Sequence, residues 1–306
     1  MKKTSTLFII FICFSAYAQK TQLRLNLQKD SIYYINCNIK LGIDQFVYGS
    51  HHTAKTTIEA TIANKVAIIS DSLYTIEVSY KNMSVSFDTG DHEIEFSSEK
   101  DTSNLISKYL RLILNKPFNM VISKSGKIIE IKGIDNILSD RLFELNVSEQ
   151  LKQKVLTQMR QAFGAKTLKD NLQAAFIIYP KQPIGIKDTW TTQTYFATAI
   201  GSAQIKNTYT LKSVSGDSYD ITAQATILSD KKTSDFMHNE TIYMRNLNLQ
   251  GTFDYIIKIN KVTGWLSEVR TIKHITGRAE LKHNLTDTQS LVVPFTIEGT
   301  TDVKGW

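Results

Sequence analysis

The 306-residue sequence contains two cysteines, Cys13 and Cys37, and four prolines. Since Cys13 falls in a predicted signal peptide, the mature chain keeps Cys37 alone, which excludes an internal disulfide. Beyond that peptide, apolar residues alternate with Thr, Lys, Asn and Glu, and no run approaches the roughly 20 residues of a membrane-spanning helix. The mature chain is therefore expected to carry no transmembrane segment and to be stabilised by buried apolar area.

Clusters of like charge are also missing. The formal net charge of +7 would fall to +5 with the loss of Lys2 and Lys3. No run of five like charges occurs, and no basic stretch is interleaved with aromatic residues. These absences argue against nucleic-acid binding.

Catalytic and metal-binding motifs are scarce. The six histidines form no HExxH motif, and no GxSxG nucleophile elbow occurs. The triplet Gly216-Asp217-Ser218 has the letters of an esterase signature but falls between two predicted strands, which predicts a hairpin turn. His51-His52 lies in a polar segment and is expected to be a surface pair in a loop. We predict no catalytic residue, no metal site and no cofactor.

One hydrolytic alternative stays open. His238 and Glu240 are the same-side histidine and carboxylate of the polar segment 229–240. If the fold brings both together with His274 in a cleft, the protein would be a hydrolase of unrecognised type.

The N-terminal residues predict export. Lys2 and Lys3 precede an apolar run from Leu7 to Phe14 and the small-residue exit Ala16-Tyr17-Ala18. This pattern is typical of a secretory signal peptide, so we predict cleavage after Ala18 and a periplasmic or secreted protein. Cys13 follows Ile12 within the apolar run, which does not fit a lipid-modified cysteine.

Most of the chain has the two-residue period of half-buried strands. The clearest cases are the alternating residues from Tyr33 to Leu41, which include Cys37, and those from Tyr219 to Ile227. The phase slips by one residue after Tyr80, which predicts a bulge near Lys81-Asn82.

Helical spacing is confined to the first half. Leu105, Tyr109, Leu112 and Ile113 share one helical face behind the capping candidates Asp101 and Ser103, and Pro117 ends the element. Further helices are predicted after the cap candidates Asp135 and Ser148, the second ending at Gly164, and over 166–175.

Two pairs of turns indicate a duplicated scaffold. Asp71-Ser72 parallels Asp217-Ser218, and Ser125-Gly126 parallels Thr263-Gly264, with strands on both sides of each turn. Glycine in such strand-to-strand turns supplies a positive φ rather than a phosphate-binding loop. Chance similarity between short hairpins is the alternative explanation.

The predicted fold is α+β, with antiparallel twisted β-sheets in duplicated half-barrel units and helices inserted in the first unit. The segment Tyr179-Pro180-Lys181-Gln182-Pro183 breaks the helical region and is the predicted boundary. The expected organisation is a signal peptide over 1–18, a first β unit with the helical insertion over 19–178, and a second antiparallel β unit over 179–306.

Three phrases, KPFNMVISKSGKIIEIKGID, YPKQPIGIKDTW and NKVTGWLSEVRTI, resemble a family of uncharacterised secreted proteins from Bacteroidota. That resemblance implies a compartment and a scaffold but no catalytic residue. The architecture also resembles the half-barrel of bacterial lipoprotein carriers, which shelter acyl chains. Fold alone does not fix function.

The leading hypothesis is a non-enzymatic exported protein that binds a lipid or another apolar molecule on a curved sheet. Its predicted lid surface is Leu105, Tyr109, Leu112 and Ile113. A structural or interaction module of the cell envelope is the first alternative, and the hydrolase is the second. The sequence leaves the oligomeric state open.

Overall fold

The computed structural model describes residues 20–100, 104–198, 201–229, 233–238, 241–282 and 290–306. Within them, four helices accompany one antiparallel sheet of 13 strands, which confirms the predicted α+β class. The strands are β1 (Ile32–Val47), β2 (Ser50–Ile69), β3 (Leu73–Asp88), β4 (Glu93–Ser97), β5 (Phe118–Ser123), β6 (Ile128–Lys132), β7 (Thr189–Thr198), β8 (Gly201–Val214), β9 (Ser218–Ser229), β10 (Thr233–His238), β11 (Thr241–Asn260), β12 (Leu266–Lys282) and β13 (Leu291–Gly305). The helices are α1 (Leu105–Ile113), α2 (Ile134–Phe143), α3 (Glu149–Phe163) and α4 (Ala165–Ala175).

The strand order is β6-β5-β3-β2-β1-β13-β12-β11-β9-β8-β7, with β4 beside β3 and β10 beside β11. Strand β1 therefore pairs with the last strand, β13, so that strands from both predicted units join one continuous sheet. The boundary segment 179–183 falls between α4 and β7. The division into two domains remains a prediction.

The two faces of the sheet differ in burial. On β9, Tyr219, Ile221, Ala223, Ala225 and Ile227 are buried, while the residues between them are half-buried or exposed. Residues that pair directly across neighbouring strands share a face, so the register extends this assignment across the sheet. We call the face with the buried residues the inner face and the opposite one the outer face.

Helix α4 packs against both edge strands of the main strand path, β6 and β7. Lys169 Nζ donates to Ile129 O at 2.7 Å, and Ile128 N donates to Gln173 Oε1 at 2.7 Å. These bonds satisfy backbone groups of β6 that would otherwise lie unpaired at the sheet edge. The sheet therefore curls until its two edges meet one helix. None of the described helices is long and apolar enough to cross a membrane.

Residues 20–30 close the end of the sheet that carries the glycine turns. The side chains of Leu23, Leu25 and Leu27 are buried. Leu25 N donates to Lys124 O at 2.8 Å, next to the first glycine turn, and Asn26 N donates to Thr263 O at 2.7 Å in the second turn. The segment thus fills the inner face near both turns.

Both glycines adopt the predicted positive φ, 83° at Gly126 and 66° at Gly264. A Cβ added at Gly126 would lie 2.2 Å from Ile177 O, and one at Gly264 would lie 2.0 Å from Arg24 O. Each turn therefore needs glycine both for its backbone conformation and for the close approach of another chain segment.

The two serine-containing turns share their hydrogen bonds. Ser70 N donates to Leu73 O at 2.9 Å, and Ser215 N donates to Ser218 O at 2.9 Å. In each turn the hydroxyl of the first serine also accepts from the backbone N–H three residues on. This similarity is what a duplicated unit would give, and the duplication remains a hypothesis.

Several local predictions are confirmed. The pairing of β2 with β3 shifts at Thr61/Ile62, where Lys81 is left unpaired, so the bulge lies where the phase slips. The Ser148 side chain accepts from Leu151 N and caps α3, which ends before Gly164.

Two local predictions are wrong. Asp135 does not cap α2, because the N-cap is Gly133, with φ 90° and no side-chain hydrogen bond. Its Oδ1 instead accepts from Ala165 N at 3.4 Å, at the start of α4. His51-His52 is exposed but lies in strand β2 rather than in a loop, because β1 and β2 extend almost to the tip of their hairpin.

Candidate functional site

The predicted lid residues lie on helix α1, which Asn104 caps by accepting from Ile106 N and Ser107 N. The alternative capping candidates Asp101 and Ser103 lie outside the described residues. Tyr109 and Ile113 are buried, and the Tyr109 hydroxyl donates to Leu138 O at 2.5 Å.

Leu105 and Leu112 are half-buried and pack against the same core. Helix α1 is also held to the end of β4, because Ser97 N donates to Ser107 Oγ at 3.0 Å. The four predicted lid residues therefore form a contact between α1 and the core beside β4.

An apolar surface on the inner face of β1 to β4 is only partly covered. Its most exposed members are Phe87 at 40% and Ile94 at 52%, which pair directly on β3 and β4. The Phe87 and Phe96 rings meet edge-on, 6.2 Å apart. We call this surface the inner apolar patch; it consists of Ile39, Leu41, Ile43, Ile58, Val85, Phe87, Ile94 and Phe96.

The inner face of the C-terminal strands is covered by contrast. Leu249, Phe253 and Ile275 are each less than 10% exposed. Near the glycine turns, a cavity bordered by Phe176 and Tyr255 has a volume of about 10 Å³, which is room for about one water molecule. A larger apolar ligand has its access at the inner apolar patch rather than in this packed region.

Lys273 of β12 lies beside the patch, on the same face. Its Nζ donates to Thr301 Oγ1 at 2.9 Å and lies 5.8 Å from the centroid of the Phe253 ring. Burial lowers the pKa of Lys273 to about 8, and the neighbouring Cys37 opposes that shift. Burial also raises the pKa of the Cys37 thiol to about 11, so this cysteine is protonated and unreactive at neutral pH.

Sequence reasoning missed Lys273, although the signal was present. The residues Val269, Thr271, Lys273 and Ile275 share one phase of the alternation in β12, and three of them are buried. A charged residue at an apolar phase marks a strand position with a special environment.

Two grooves are bordered largely by residues of the outer face. One, of about 600 Å³, is bordered by Lys40, Lys55, His274 and Glu298, and Leu41, Lys273 and Gly299 also line it. Another, of about 470 Å³, is bordered among others by Asn38, Glu59 and Lys100. Because Asn38 Nδ2 already donates to Glu59 Oε1 at 2.7 Å, the polar groups of the second groove satisfy one another in part.

Of the three residues of the hydrolase alternative, only His274 has its side chain among the described residues. His274 Nδ1 lies 3.2 Å from Glu298 Oε1 on the exposed outer face. Glu240 and the side chain of His238 lie outside the described residues. Among the described residues, no group of three or more His, Cys, Asp or Glu side chains is arranged to hold a metal ion.

A protein-family model matches residues 71–266, almost two thirds of the chain, and its description is "Family of unknown function (DUF6263)". The chain belongs to this family. The match includes the helical insertion and runs from β3 to the first residue of β12, so it contains half of the inner apolar patch and ends before Lys273. No curated protein matches this DUF6263 chain.

Two solved structures to which the chain shows similarity differ widely in size. A structure of lipid–protein interactions in lipovitellin is 12% identical, with a TM-score of 0.44 over 92% of this chain and 25% of that one. The Salmonella typhi OmpF complex with daunomycin is 10% identical, with a TM-score of 0.22 over 90% and 97% of the two chains. Thus the chain spans a quarter of the lipovitellin chain, and TM-scores below 0.5 are too low to carry an argument on function.

Proposed function

We propose that the protein is a non-enzymatic exported protein that binds the acyl chain of a lipid or acylated molecule on the inner apolar patch. The observation that carries the proposal is the partial exposure of Phe87 and Ile94, on a face whose other apolar side chains are largely buried. A contiguous apolar surface open to solvent is typical of a site that a ligand or partner covers.

The energetics favour a long chain. Each methylene group moved from water to an apolar contact contributes about 0.8 kcal/mol. A shallow patch covers one side of the chain, and binding also costs translational and conformational freedom, so only part of this gain remains as affinity. The binding free energy should therefore become more favourable with each added methylene until the patch is filled.

Helix α1 has a supporting role in this proposal. The buried side chains of Tyr109 and Ile113 hold the helix in the core, while Leu105 and Leu112 are half-buried. In this proposal the two leucines extend the apolar surface at the end of the patch, where a bound chain would contact them. The four residues thus serve as a wall for the ligand, with the two leucines in contact with it.

The exposed apolar side chains of the outer face favour a second candidate, an interaction module of the cell envelope. Leu228, Ile256 and Ile272 are 58%, 67% and 54% exposed. In that case a protein partner or a second copy would cover the outer face, and the chain would elute as a complex in size-exclusion chromatography with light scattering. A monomer that binds acyl chains would instead agree with the first candidate.

Native mass spectrometry of the chain from Gln19 to Trp306, followed by organic extraction, tests the proposal. We expect a discrete adduct that extracts as a lipid, or uptake of added fatty acid or phospholipid. A bare mass that takes up neither would contradict the proposal. Expression of the full chain with its first 18 residues, followed by N-terminal sequencing, tests export, for which we expect Gln19 as the first residue.

A further inference from the structure

Lys273 is singular on the inner face. Among the paired strand positions with described side chains, Lys273 is the only lysine, arginine, aspartate or glutamate on the inner face. Charged groups at apolar positions are costly unless they are paired. The position of this ammonium group therefore calls for an explanation in terms of a partner.

The protein itself supplies few interactions for this ammonium group. Thr301 Oγ1 accepts one hydrogen bond from Nζ, and the Phe253 ring offers a cation–π contact. Among the described residues, no carboxylate lies within 4.0 Å of Nζ. An ammonium group has three donors, so this one keeps capacity for an anion.

The register connects Lys273 to the inner apolar patch. Lys273 pairs with Gly299, Gly299 with Leu41, Leu41 with Thr56 and Thr56 with Phe87, which makes one row across five neighbouring strands. At the usual strand spacing the row is about 19 Å long. A cation at one end and an apolar surface beyond it match the shape of an amphiphile.

Gly299 keeps that row continuous. A Cβ added there would lie 2.6 Å from Leu41 Cδ2, so the Leu41 side chain leans over the glycine toward Lys273. The ammonium group and the apolar patch are thus separated by a position without a side chain, which leaves an uninterrupted path between them.

We propose that Lys273 anchors the acidic headgroup of the ligand, and that the ligand is a long-chain fatty acid whose carboxylate binds Nζ while its tail lies along Leu41 toward Phe87. This inference rests on the proposed function and adds the chemical class of the ligand. One cation with one neighbouring hydroxyl fits a singly charged carboxylate better than a phosphate, for which clustered cations are usual. The proton balance is simple, because the carboxylate and the ammonium group pair without chemical change.

Binding of palmitate and of hexadecanol at pH 7, each below its aggregation concentration, tests the inference. The two probes share an aliphatic tail and differ in charge. We expect wild type to bind palmitate more tightly than hexadecanol, and Lys273→Met to lose at least tenfold in palmitate affinity while its hexadecanol affinity changes less than twofold. Lys273→Arg, which keeps the charge, should retain most palmitate binding.

The control is Lys258→Met on the exposed outer face of β11, which should leave both affinities unchanged. Retained hexadecanol binding also shows that Lys273→Met is folded. If wild type binds both probes equally, or if Lys273→Met binds palmitate as tightly as wild type, Lys273 does not bind the carboxylate. The proposed function would still stand in that case. If wild type binds neither probe, the proposed function itself fails.

Discussion

The hydroxyl of Tyr179 donates a hydrogen bond of 2.6 Å to the carbonyl oxygen of Gly264. The backbone N–H of the same tyrosine donates to Ser125 O at 2.8 Å, so one residue bridges the two glycine turns. Burial raises the pKa of the Tyr179 phenol far above its ordinary range, so the hydroxyl remains a donor at every pH at which the protein is handled. The two similar hairpins are therefore joined by the segment that follows α4.

Tyr179→Phe should destabilise the protein by about 1–3 kcal/mol, because it leaves the buried Gly264 carbonyl without this donor. The measurement is the free energy of unfolding in urea. Tyr195→Phe is the matched control, since Tyr195 is 48% exposed and should change stability by less than about 0.5 kcal/mol. Equal stabilities of the two variants would contradict a structural role for the bridge.

Gly264→Ala should be far more destabilising than Gly90→Ala. Both glycines have positive φ, 66° and 88°, but an added Cβ at Gly90 meets nothing within 4 Å, whereas one at Gly264 lies 2.0 Å from Arg24 O. Gly90→Ala therefore carries the backbone strain alone, about 1–2 kcal/mol. The free energies of unfolding of both variants in urea separate the backbone strain from the steric collision with Arg24 O. Similar decreases in stability would show that residues 20–30 do not pack against the turn as described.

Much of this fold is readable from the sequence, for local reasons. The alternation on β9, the slip at Lys81 and the cap at Ser148 depend on residues close in the chain, and all three are confirmed. The cap of α2 could not be predicted, because the N-cap Gly133 has a positive φ and makes no side-chain hydrogen bond. The Asp135 side chain instead accepts a hydrogen bond from Ala165 N.

The candidate site was readable only in part. The pairing of β1 with β13 brings Lys273 and Leu41 into one row, although they lie far apart in the sequence. No periodicity within a single strand encodes which strands become neighbours. The predicted lid on α1 rests on amphipathic spacing, which marks an apolar helix face but does not distinguish a face toward a ligand from one toward the core.

The pH dependence of stability should show the burial of Lys273. Its pKa falls from 10.5 to about 8 on folding, so between these values the unfolded chain binds more protons than the folded one. The free energy of unfolding attributable to Lys273 should therefore rise as the pH increases from about 8 to 10.5, and it should be lowest below pH 8, where folding buries the charged form.

Comparison with Lys273→Met isolates this effect, because methionine does not titrate. Cys37, whose pKa rises from 9.0 to about 11, acts in the opposite sense at higher pH, so both proteins should carry Cys37→Ala. Burial also raises the pKa of Tyr80, which faces this cluster, and because both proteins contain Tyr80 its contribution cancels from the difference. A stability difference between the two proteins that does not change from pH 8 to 10.5 would contradict the burial of the ammonium group.

The most direct measurement of the central claim compares acyl-chain binding by two variants, Phe87→Glu and Phe46→Glu. Phe87 is 40% exposed on the inner face and Phe46 is 42% exposed on the outer face, so the same substitution adds the same charge at similar exposure. With hexadecanol as the probe, which avoids repulsion between charges, we predict at least a tenfold loss of affinity for Phe87→Glu and a change of less than twofold for Phe46→Glu. Equal affinities for the two variants would contradict binding at the inner apolar patch.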